Sequence, residues 1–272
     1  MTTFAAAPPQ AALAFDQMAA DYDATFTNSM IGRAQRDVVW STLARIFQLG
    51  DHILELNCGT GEDAFFLTRN GIRVTACDAS QQMVQIASSR LHAEAPDAPV
   101  KFNRLPTERI LELQSSRKFD GAFSNFSGLN CVADLKKTAD DLAALLSNGS
   151  PLLICLSTRF CAWEMLWFLV HGNFRKAFRR CSGHATAKVG DFIVDVYYPT
   201  VTKLQALFSP SFILRSYRGI GVTVPPSYAE SWIRKHPRSL RIFRKIDQGI
   251  STLPGFRVLG DHILLHFERI PS

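Results

Sequence analysis

The sequence predicts an α/β fold in which helices cover both faces of a mostly parallel sheet. Short apolar runs typical of strands alternate with helical patterns through the first 157 residues. Repeated β-α-β-α order implies parallel strands joined by right-handed crossovers. The chain has 272 residues, of which 47% are hydrophobic and 20% charged, so it has enough apolar content for a sizeable core.

Turn signals separate the elements of this first part. Gly50-Asp51, Asn70-Gly71 and Asn148-Gly149 turn the chain, and Ser80 is placed to cap a helix that runs to about Glu94. The other predicted helices are Ala11–Tyr22, Gly32–Phe47, Asp63–Arg69 and Leu135–Leu146. The predicted strands are His52–Leu56, Ile72–Cys77, Val100–Leu105, Phe119–Ser124 and Pro151–Leu156.

The alternation ends after Ser157, where large apolar and basic residues become frequent. The predicted elements there are a helix over Arg159–Arg180, a strand over Asp191–Tyr198, a helix over Val201–Phe208, a strand over Phe212–Tyr217, a basic amphipathic helix over most of Tyr228–Gln248 and a strand over His262–Phe267. The strands at Phe212–Tyr217 and His262–Phe267 bring the number in the sheet to seven.

Charge and cysteine content limit the partners. The net charge of +6 is concentrated in the second half, where Arg234–Lys245 holds six basic residues and no acid. This favours an anionic partner, namely an acidic substrate, a lipid headgroup or RNA, although a solvated basic face is equally compatible. The six cysteines show no metal-ligand spacing, so we interpret them as buried free thiols and predict no metal site.

Two further patterns bear on location. The longest unbroken apolar stretch, Met165–Val170, is far shorter than the roughly 20 residues that cross a bilayer. The first ten residues lack the basic and apolar pattern of a secretory signal. We therefore expect a cytoplasmic protein, and a peripheral membrane contact through residues 159–180 remains open.

A glycine-rich loop carries the main functional signal. The strand that ends in Glu55-Leu56 is followed by Asn57-Cys58-Gly59-Thr60-Gly61 and then by a helix. Gly59 and Gly61 permit positive φ angles and a close approach of the backbone to a ligand. Asp78 ends the next strand, 23 residues after Glu55, where a carboxylate can accept hydrogen bonds from both hydroxyls of a ribose.

These motifs resemble the class I S-adenosylmethionine-dependent methyltransferases, in particular the small-molecule branch that includes the ubiquinone and menaquinone methyltransferases. The family's acidic residue followed by x-Gly-x-Gly-x-Gly stands here as Glu55 to Gly61, with Asn57 in place of the first glycine. Phe119–Phe126 resembles the family's fourth-strand motif, and Phe15–Asp23 resembles the N-terminal segment that closes over the cofactor. The order of the motifs extends the resemblance over nearly the whole chain.

The resemblance implies a Rossmann-like sheet whose last two strands form an antiparallel hairpin at its edge, and S-adenosyl-L-methionine as cofactor. It places the methionine moiety on Glu55 and on the backbone of Asn57, Cys58, Gly59 and Gly61, the ribose on Asp78, and the adenine beside Ala79, Met83, Thr107 and Glu108. Asn125 and Phe126 would then lie beside the sulfur, with Tyr22 near the methyl group. Tyr22 and Asn125 are thus candidate positioning residues, and the sequence identifies no general base.

The resemblance also implies a division of the chain. We predict one methyltransferase domain over residues 1–272, with a core at about 30–157 and 201–272, an N-terminal lid at about 11–30, and a helical and β cap insertion at about 158–200. In this family such insertions commonly build the substrate pocket, which makes Trp163, Trp167 and Phe168 candidate substrate-binding residues. Their aromatic and basic surroundings predict a small acceptor molecule that is large and apolar or anionic, and a cap that merely packs on the sheet is the competing interpretation.

Three other functions remain open at this stage. A nicotinamide-dependent dehydrogenase needs Gly-x-Gly-x-x-Gly, and the glycine spacing here does not provide it. An RNA methyltransferase would use the basic second half, but no added RNA-binding module is visible, so a nucleic-acid partner is not expected. A non-catalytic interaction protein that binds S-adenosylmethionine would share the same motifs. The sequence does not indicate an oligomeric state.

Overall fold

A sheet of seven strands forms the centre of the molecule. The computed structural model describes residues 9–114 and 116–271, so residues 1–8, 115 and 272 of the predicted domain lie outside the described ranges. The strands of this sheet are β1 His52–Leu56, β2 Arg73–Asp78, β3 Val100–Arg104, β4 Gly121–Ser124, β5 Pro151–Ser157, β8 Phe212–Ile220 and β9 His262–Arg269, and a separate hairpin contains β6 His184–Val189 and β7 Phe192–Tyr197.

The strand order in the sheet is β3-β2-β1-β4-β5-β9-β8. The first five strands are parallel, whereas β9 runs antiparallel to both β5 and β8. The predicted α/β class, the seven strands and the antiparallel pair at the edge are confirmed. The order reverses at β1 and β4, which places the ligand crevice of such a sheet at the carboxyl ends of these strands.

Helices pack on both faces of the sheet. Their bounds in the described ranges are α1 Gln10–Tyr22, α2 Met30–Ile46, α3 Glu62–Arg69, α4 Gln81–Glu94, α5 Leu135–Leu145, α6 Ala162–Val170, α7 Phe174–Ala177, α8 Val201–Phe208, α9 Glu230–Lys235 and α10 Pro237–Ile250. A π-helical turn, Asp23–Thr27, extends α1 toward α2.

Alternating side chains of β1 reach two separate cores. Leu54 and Leu56 join the core beneath α5 and α8, while Ile53 joins the core beneath α2 and α3. The side chains of β1 from Ile53 to Leu56 are all buried, as expected for a central parallel strand with both faces covered. This burial fixes the position of the loop that follows β1.

Most predicted boundaries hold within two residues, and the first helices show why. Ser80 caps α4 as expected, its side chain accepting a hydrogen bond from the amide of Met83. The helix α2 begins at Met30 rather than at Gly32, because Ser29 provides an N-cap by accepting a hydrogen bond from the amide of Gly32.

Two long predicted helices are each divided in the structure. The segment Arg159–Arg180 was expected as one helix, but α6 ends at Val170 and α7 begins at Phe174, with Gly172 between them at a φ of 70°. The segment Tyr228–Gln248 breaks at His236, because Pro237 has no amide hydrogen to continue α9 and instead starts α10. The apolar periodicity predicts both helical segments, but it does not reveal the breaks within them.

The β part of the cap is a hairpin rather than a single strand. Asp191–Tyr198 corresponds to β7, and the partner strand β6 was not predicted. The hairpin turn packs against α1, where the amide of Asp191 donates to Gln17 Oε1 at 3.0 Å and Gln17 Nε2 donates to Asp191 Oδ2 at 3.0 Å. The N-terminal helix and the cap therefore contact each other above the sheet.

Candidate active site

A cavity lies at the carboxyl ends of the central strands, beneath α1. Its walls come from the loop after β1, the end of β2, the segment after β3 and the loop after β4, and α1 contributes Phe15 and Tyr22. Its empty volume, counted out to open solvent, is about 690 Å³.

The loop after β1 follows a left-handed path along the floor of this cavity. Asn57, Gly59 and Gly61 have φ angles of 55°, 53° and 81°. Gly61 begins α3, and a Cβ on it would lie 2.8 Å from Cζ of Phe102, so only glycine fits there. A Cβ on Gly59 would meet nothing closer than Cε1 of Tyr22 at 4.0 Å, so the space above Gly59 is open to a ligand.

Asn57 allows the loop to keep its left-handed backbone without the first glycine of the motif. Asparagine tolerates the left-handed conformation better than most residues. Its side chain also connects two neighbouring segments, because Nδ2 donates to Thr107 Oγ1 at 3.2 Å and Oδ1 accepts from Ser124 Oγ at 3.1 Å. The departure from the motif thus adds contacts between the loop, β4 and the segment after β3.

Asp78 holds the ends of two loops together. Its Oδ2 accepts a hydrogen bond from the amide of Gly59 at 2.9 Å, and its Oδ1 accepts from the amide of Ser80 at 2.8 Å. Burial raises the pKa of this carboxyl, and the two amides partly oppose the rise. A carboxylate has about four acceptor positions, so Asp78 retains capacity for a ligand in the cavity.

Glu55 is a buried carboxyl group without a recorded partner at one oxygen. It is 1% exposed, and its Oε2 accepts no hydrogen bond from the described residues. Burial raises its pKa well above the ordinary value, the Asp63 and Asp78 charges add to the rise, and Arg36 opposes it. Buried acceptors in folded proteins nearly always have a hydrogen-bond donor, so this oxygen at the end of β1 is a candidate to accept one from a ligand.

A buried ion pair positions the end of β4. Arg36 Nη1 lies 2.6 Å from Asp63 Oδ2, and both side chains are almost fully buried. Asp63 also accepts from Asn125 Nδ2 at 2.9 Å and from Trp40 Nε1 at 2.6 Å. The amide of Asn125 is therefore fixed in orientation before any ligand binds.

Aromatic rings extend from the cavity wall toward β9. Tyr22 is 5.7 Å from Phe26, Phe26 is 5.2 Å from Phe126, and Phe126 is 5.3 Å from His262, measured between ring centroids. Phe126 has a φ of 42°, a strained value for a bulky residue that is characteristic of functional loops. Burial raises the pKa of Tyr22 to about 12, so its hydroxyl is neutral at physiological pH.

His262 is a buried histidine whose ring packs against that of Phe126. Burial lowers its pKa, Asp261 opposes the effect at an Nδ1 to Oδ2 distance of 3.5 Å, and Arg180 adds to it. By contrast His171, His184 and His236, which lie in the region predicted as cap or beside it, are exposed. Nothing in the sequence around His262 distinguished it from an ordinary strand residue.

The N-terminal segment is held over the cavity by polar contacts. Asp16 Oδ1 accepts from Ser80 Oγ at 2.5 Å and from the amide of Gln82 at 2.9 Å, at the N-terminus of α4. Asp23 Oδ1 accepts from Thr60 Oγ1 at 2.7 Å. These contacts attach the helix α1 to two of the loops that form the cavity floor.

Many of the predicted cofactor residues meet at this single cavity, and some do not reach its surface. Those that line it are Tyr22, Asn57, Gly59, Asp78, Ala79, Met83, Thr107, Glu108, Asn125 and Phe126. Glu55, Cys58 and Gly61 are not among the lining residues and belong to the strand and loop beneath. Wall residues that the sequence did not single out include Ala11, Ala12, Gly128, Cys131 and Val132.

The structure places the three predicted substrate residues elsewhere. Trp163, Trp167 and Phe168 do not line the cavity. Trp163 Nε1 donates to the carbonyl of Thr223 at 2.7 Å, and its ring packs against Phe243 of α10. Trp167 and Phe168 both pack against Tyr228. These side chains attach α6 to the C-terminal part of the chain, and their role in substrate binding stays a prediction.

Comparison with known proteins agrees with this geometry. Residues 53–149 match a family model described as a methyltransferase domain. The chain is 30% identical over 157 residues to a demethylmenaquinone methyltransferase of Clavibacter sepedonicus, a match that covers 54% of this chain and 58% of that relative. The chain thus spans less than two thirds of the length of the curated relatives that it matches.

Solved structures share the fold at low identity. A crystal structure of an S-adenosylmethionine-dependent methyltransferase from Clostridium acetobutylicum has a TM-score of 0.59 at 12% identity, over 94% of this chain and 99% of its own. The 4+2 cyclase SpnF has a TM-score of 0.55 at 13% identity, over 87% of this chain and 82% of its own. At these identities the likeness shows the fold alone, and the cyclase illustrates that one fold supports different reactions.

Proposed function

We propose, from the class I S-adenosylmethionine-dependent methyltransferase domain that this chain carries, that the protein binds this cofactor in the cavity and transfers its methyl group to a small molecule. The observation that supports the proposal most directly is the shared cavity wall of Asn57, Gly59, Asp78 and Asn125, which come from three different strand ends. Separate motifs of one cofactor site have to converge in this way.

The residues present fit the cofactor. The free acceptor positions of Asp78 can take the hydroxyls of a ribose. The orphaned Oε2 of Glu55 lies beneath the cavity lining and can accept a hydrogen bond from an ammonium group once the loop above it shifts on binding. The open space above Gly59, which a larger side chain would reduce, allows the ligand to approach the backbone. Met83 and Ala79 supply apolar wall beside Asp78 for a base.

The chain's own contribution would be positioning and the exclusion of water. When bound, S-adenosylmethionine supplies a methyl group that is activated by the positive charge of its sulfonium. The hydrogen bond to Asp63 fixes the orientation of Asn125, which would hold a reacting group in place. The helix α1 covers the cavity and would keep the reacting groups from solvent. Because the pKa of Tyr22 is about 12, its hydroxyl serves in hydrogen bonding rather than as a base near neutral pH.

The acceptor is proposed to combine an apolar part with an anionic group. Beyond Phe126 the cavity reaches Cys131 and Val132, and Val132 also lines a second cleft. That cleft contains Arg159, whose Nε is buried and has no hydrogen-bond partner among the described residues, together with Lys203. A cleft with this charge beside the cofactor cavity favours an acceptor with a carboxylate or phosphate.

The cofactor assignment is tested by ligand-dependent thermal stability. S-Adenosylhomocysteine at about 100 times its dissociation constant should stabilise the folded protein by about 2.7 kcal/mol and raise its melting temperature, whereas NAD should not. The same measurement on Gly59→Val, in which the new side chain occupies the open space, should show no shift. A shift with NAD alone would instead favour a nicotinamide-dependent enzyme.

The acceptor class is tested with a labelled methyl group. Protein incubated with methyl-labelled cofactor should transfer label to a solvent extract of small molecules and not to total RNA. Label in RNA would replace the small-molecule proposal with an RNA methyltransferase. If the protein binds the cofactor but label appears in neither small molecules, RNA nor protein, the result would support a non-catalytic binding protein.

A further inference from the structure

The segment that contains α6 and α7 buries two charged side chains and exposes four large apolar ones. The buried residues on this segment include Glu164, which is 2% exposed, and Arg180 just after α7, which is 8% exposed. Exposed large apolar residues instead recur at every fourth position and are Leu166, Val170, Phe174 and Phe178, with exposed fractions of 57%, 76%, 66% and 46%. A cap helix that merely packed on the sheet would bury its apolar side and expose its charges.

Ion pairs attach this segment to the rest of the molecule. Glu164 accepts from Arg179 Nε at 2.7 Å and from Arg180 Nη2 at 2.6 Å. Arg180 Nη2 also lies 3.0 Å from Asp261 Oδ1, at the start of β9. The exposed apolar side chains are therefore not needed to hold the segment in place. The fold alone does not explain why they face water.

The adjoining helices extend the same kind of surface. Trp163 of α6 and Trp232 of α9 both pack against Phe243 of α10. On α10, Ile242 is 57% exposed and Ile246 is 43% exposed, one helical turn apart. Exposed apolar side chains that recur on neighbouring helices are typical of an interaction site.

Basic side chains accompany these apolar residues. Arg175 and Lys176 lie on α7 beside Phe174, and Arg241 and Lys245 lie on α10; all four are exposed. No salt bridge to a carboxylate is recorded for them within residues 9–114 and 116–271. A second copy of this chain would bring like charges together on such a face, whereas anionic headgroups would neutralise them.

We propose that the apolar face of α6 and α7, defined by Leu166, Val170, Phe174 and Phe178, docks on an anionic lipid bilayer. The apolar side chains would enter the boundary between headgroups and acyl chains, and Arg175 and Lys176 would meet the phosphates. The described residues contain no helix long and apolar enough to cross a bilayer, so the contact is a surface one. The inference does not depend on the proposed methyl transfer.

Vesicle flotation tests the proposal on the full chain. Unmodified protein should float with vesicles that contain phosphatidylglycerol and phosphatidylcholine, and several-fold less protein should float with phosphatidylcholine alone or at high salt. The triple variant Leu166→Ser, Val170→Ser, Phe174→Ser should bind the anionic vesicles at least about tenfold more weakly. Arg175→Glu with Lys176→Glu should remove the preference for anionic lipid.

Matched controls separate docking from general surface effects. Leu49→Ser and Ile193→Ser remove equally exposed apolar side chains outside this face and should leave flotation unchanged. Circular dichroism and the melting temperature should confirm that each variant is folded. Equal flotation of the triple variant and the controls would overturn the proposal. A dimer in light scattering that the triple variant abolishes, without vesicle binding, would assign the face to a second copy.

Discussion

At the scale of single residues, Asp78 combines a structural role with a proposed binding role. Its two oxygens order the backbone at Gly59 and Ser80, which are the loops that form the cavity floor. Asp78→Ala should weaken S-adenosylhomocysteine binding by at least about tenfold, because a charged hydrogen bond contributes roughly 1.5–3 kcal/mol. Isothermal calorimetry measures the affinity, and Asp97→Ala, an exposed aspartate, serves as control. Unchanged affinity would contradict the ribose assignment.

We expect Glu55 to make cofactor binding dependent on protons. Its folded-state pKa is raised by burial, so the unliganded protein retains the Glu55 proton at pH values where an ordinary glutamate has lost it. A bound ammonium group lowers that pKa, and binding should then release protons. The heat of binding should therefore differ between Tris and phosphate buffers at the same pH.

The variant Glu55→Gln identifies the source of these protons. It keeps the shape of the side chain but has no titrating group, so the buffer dependence should disappear while measurable binding remains. Buffer-independent heats in the unmodified protein would show that Glu55 does not respond to the cofactor. Persistent proton release in the variant would assign the titration to another group.

The sequence predicted residues whose roles follow from local backbone constraints. The positive φ of Asn57, Gly59 and Gly61 follows from what asparagine and glycine tolerate, and Asp78 follows from its position at a strand end. The pairing of Arg36 with Asp63 could not be predicted, since the partners lie on different helices and meet only through packing. His262 was missed for the same reason.

At the scale of elements, we expect the helix α1 to form part of the proposed cofactor site. Asp16 attaches it to the N-terminus of α4, where the helix dipole favours a carboxylate. Asp16→Ala should increase the dissociation rate of S-adenosylhomocysteine several-fold, with a small loss of stability. Stopped-flow measurement gives the rate, and Asp21→Ala on the same helix is the matched control, since the Asp21 side chain makes no hydrogen bond or ion pair with the residues that the structure describes. Equal rates in the two variants would show that α1 does not cover the ligand.

Helix limits were predictable where a cap or a breaker acts locally. Ser80 and the regular apolar periodicity are sufficient to predict the bounds of α4. Pro237 is the local signal that divides α9 from α10. The strand β6 is not evident from its sequence, which mixes polar and apolar residues. Its pairing with β7 across a tight turn stabilises it. Pairing between strands is a tertiary property that a single segment does not display.

At the scale of the whole molecule, the β-α alternation was enough to predict the sheet, because parallel strands require crossover helices. The division into a core at about 30–157 and 201–272, a lid at about 11–30 and a cap at about 158–200 remains a prediction. Contacts between Gln17 and Asp191 join the predicted lid to the predicted cap. The two predicted segments are therefore in direct contact.

A buried charge network joins the cap to the sheet and should make stability pH-dependent. Burial alone would raise the pKa of Asp261, but His262 and Arg180 outweigh it and hold the pKa below its ordinary value of 3.8. A carboxylate with a lowered folded-state pKa stabilises the fold above its ordinary pKa, and this contribution is lost as the pH falls through the folded value. Asp261→Asn should therefore destabilise the protein by about 1.5–3 kcal/mol at pH 7, because it removes one of the two carboxylates that compensate the buried charge of Arg180.

The difference in melting temperature between Asp261→Asn and the unmodified protein should narrow below pH 4, as the native carboxyl group becomes protonated. Glu268→Gln breaks an exposed pair with Arg215 and should leave the melting temperature almost unchanged at pH 7. Glu164→Gln removes the other carboxylate that faces Arg180 and should destabilise the protein to a similar extent as Asp261→Asn. A constant difference across the pH range would show that packing, rather than charge, attaches the cap to β9.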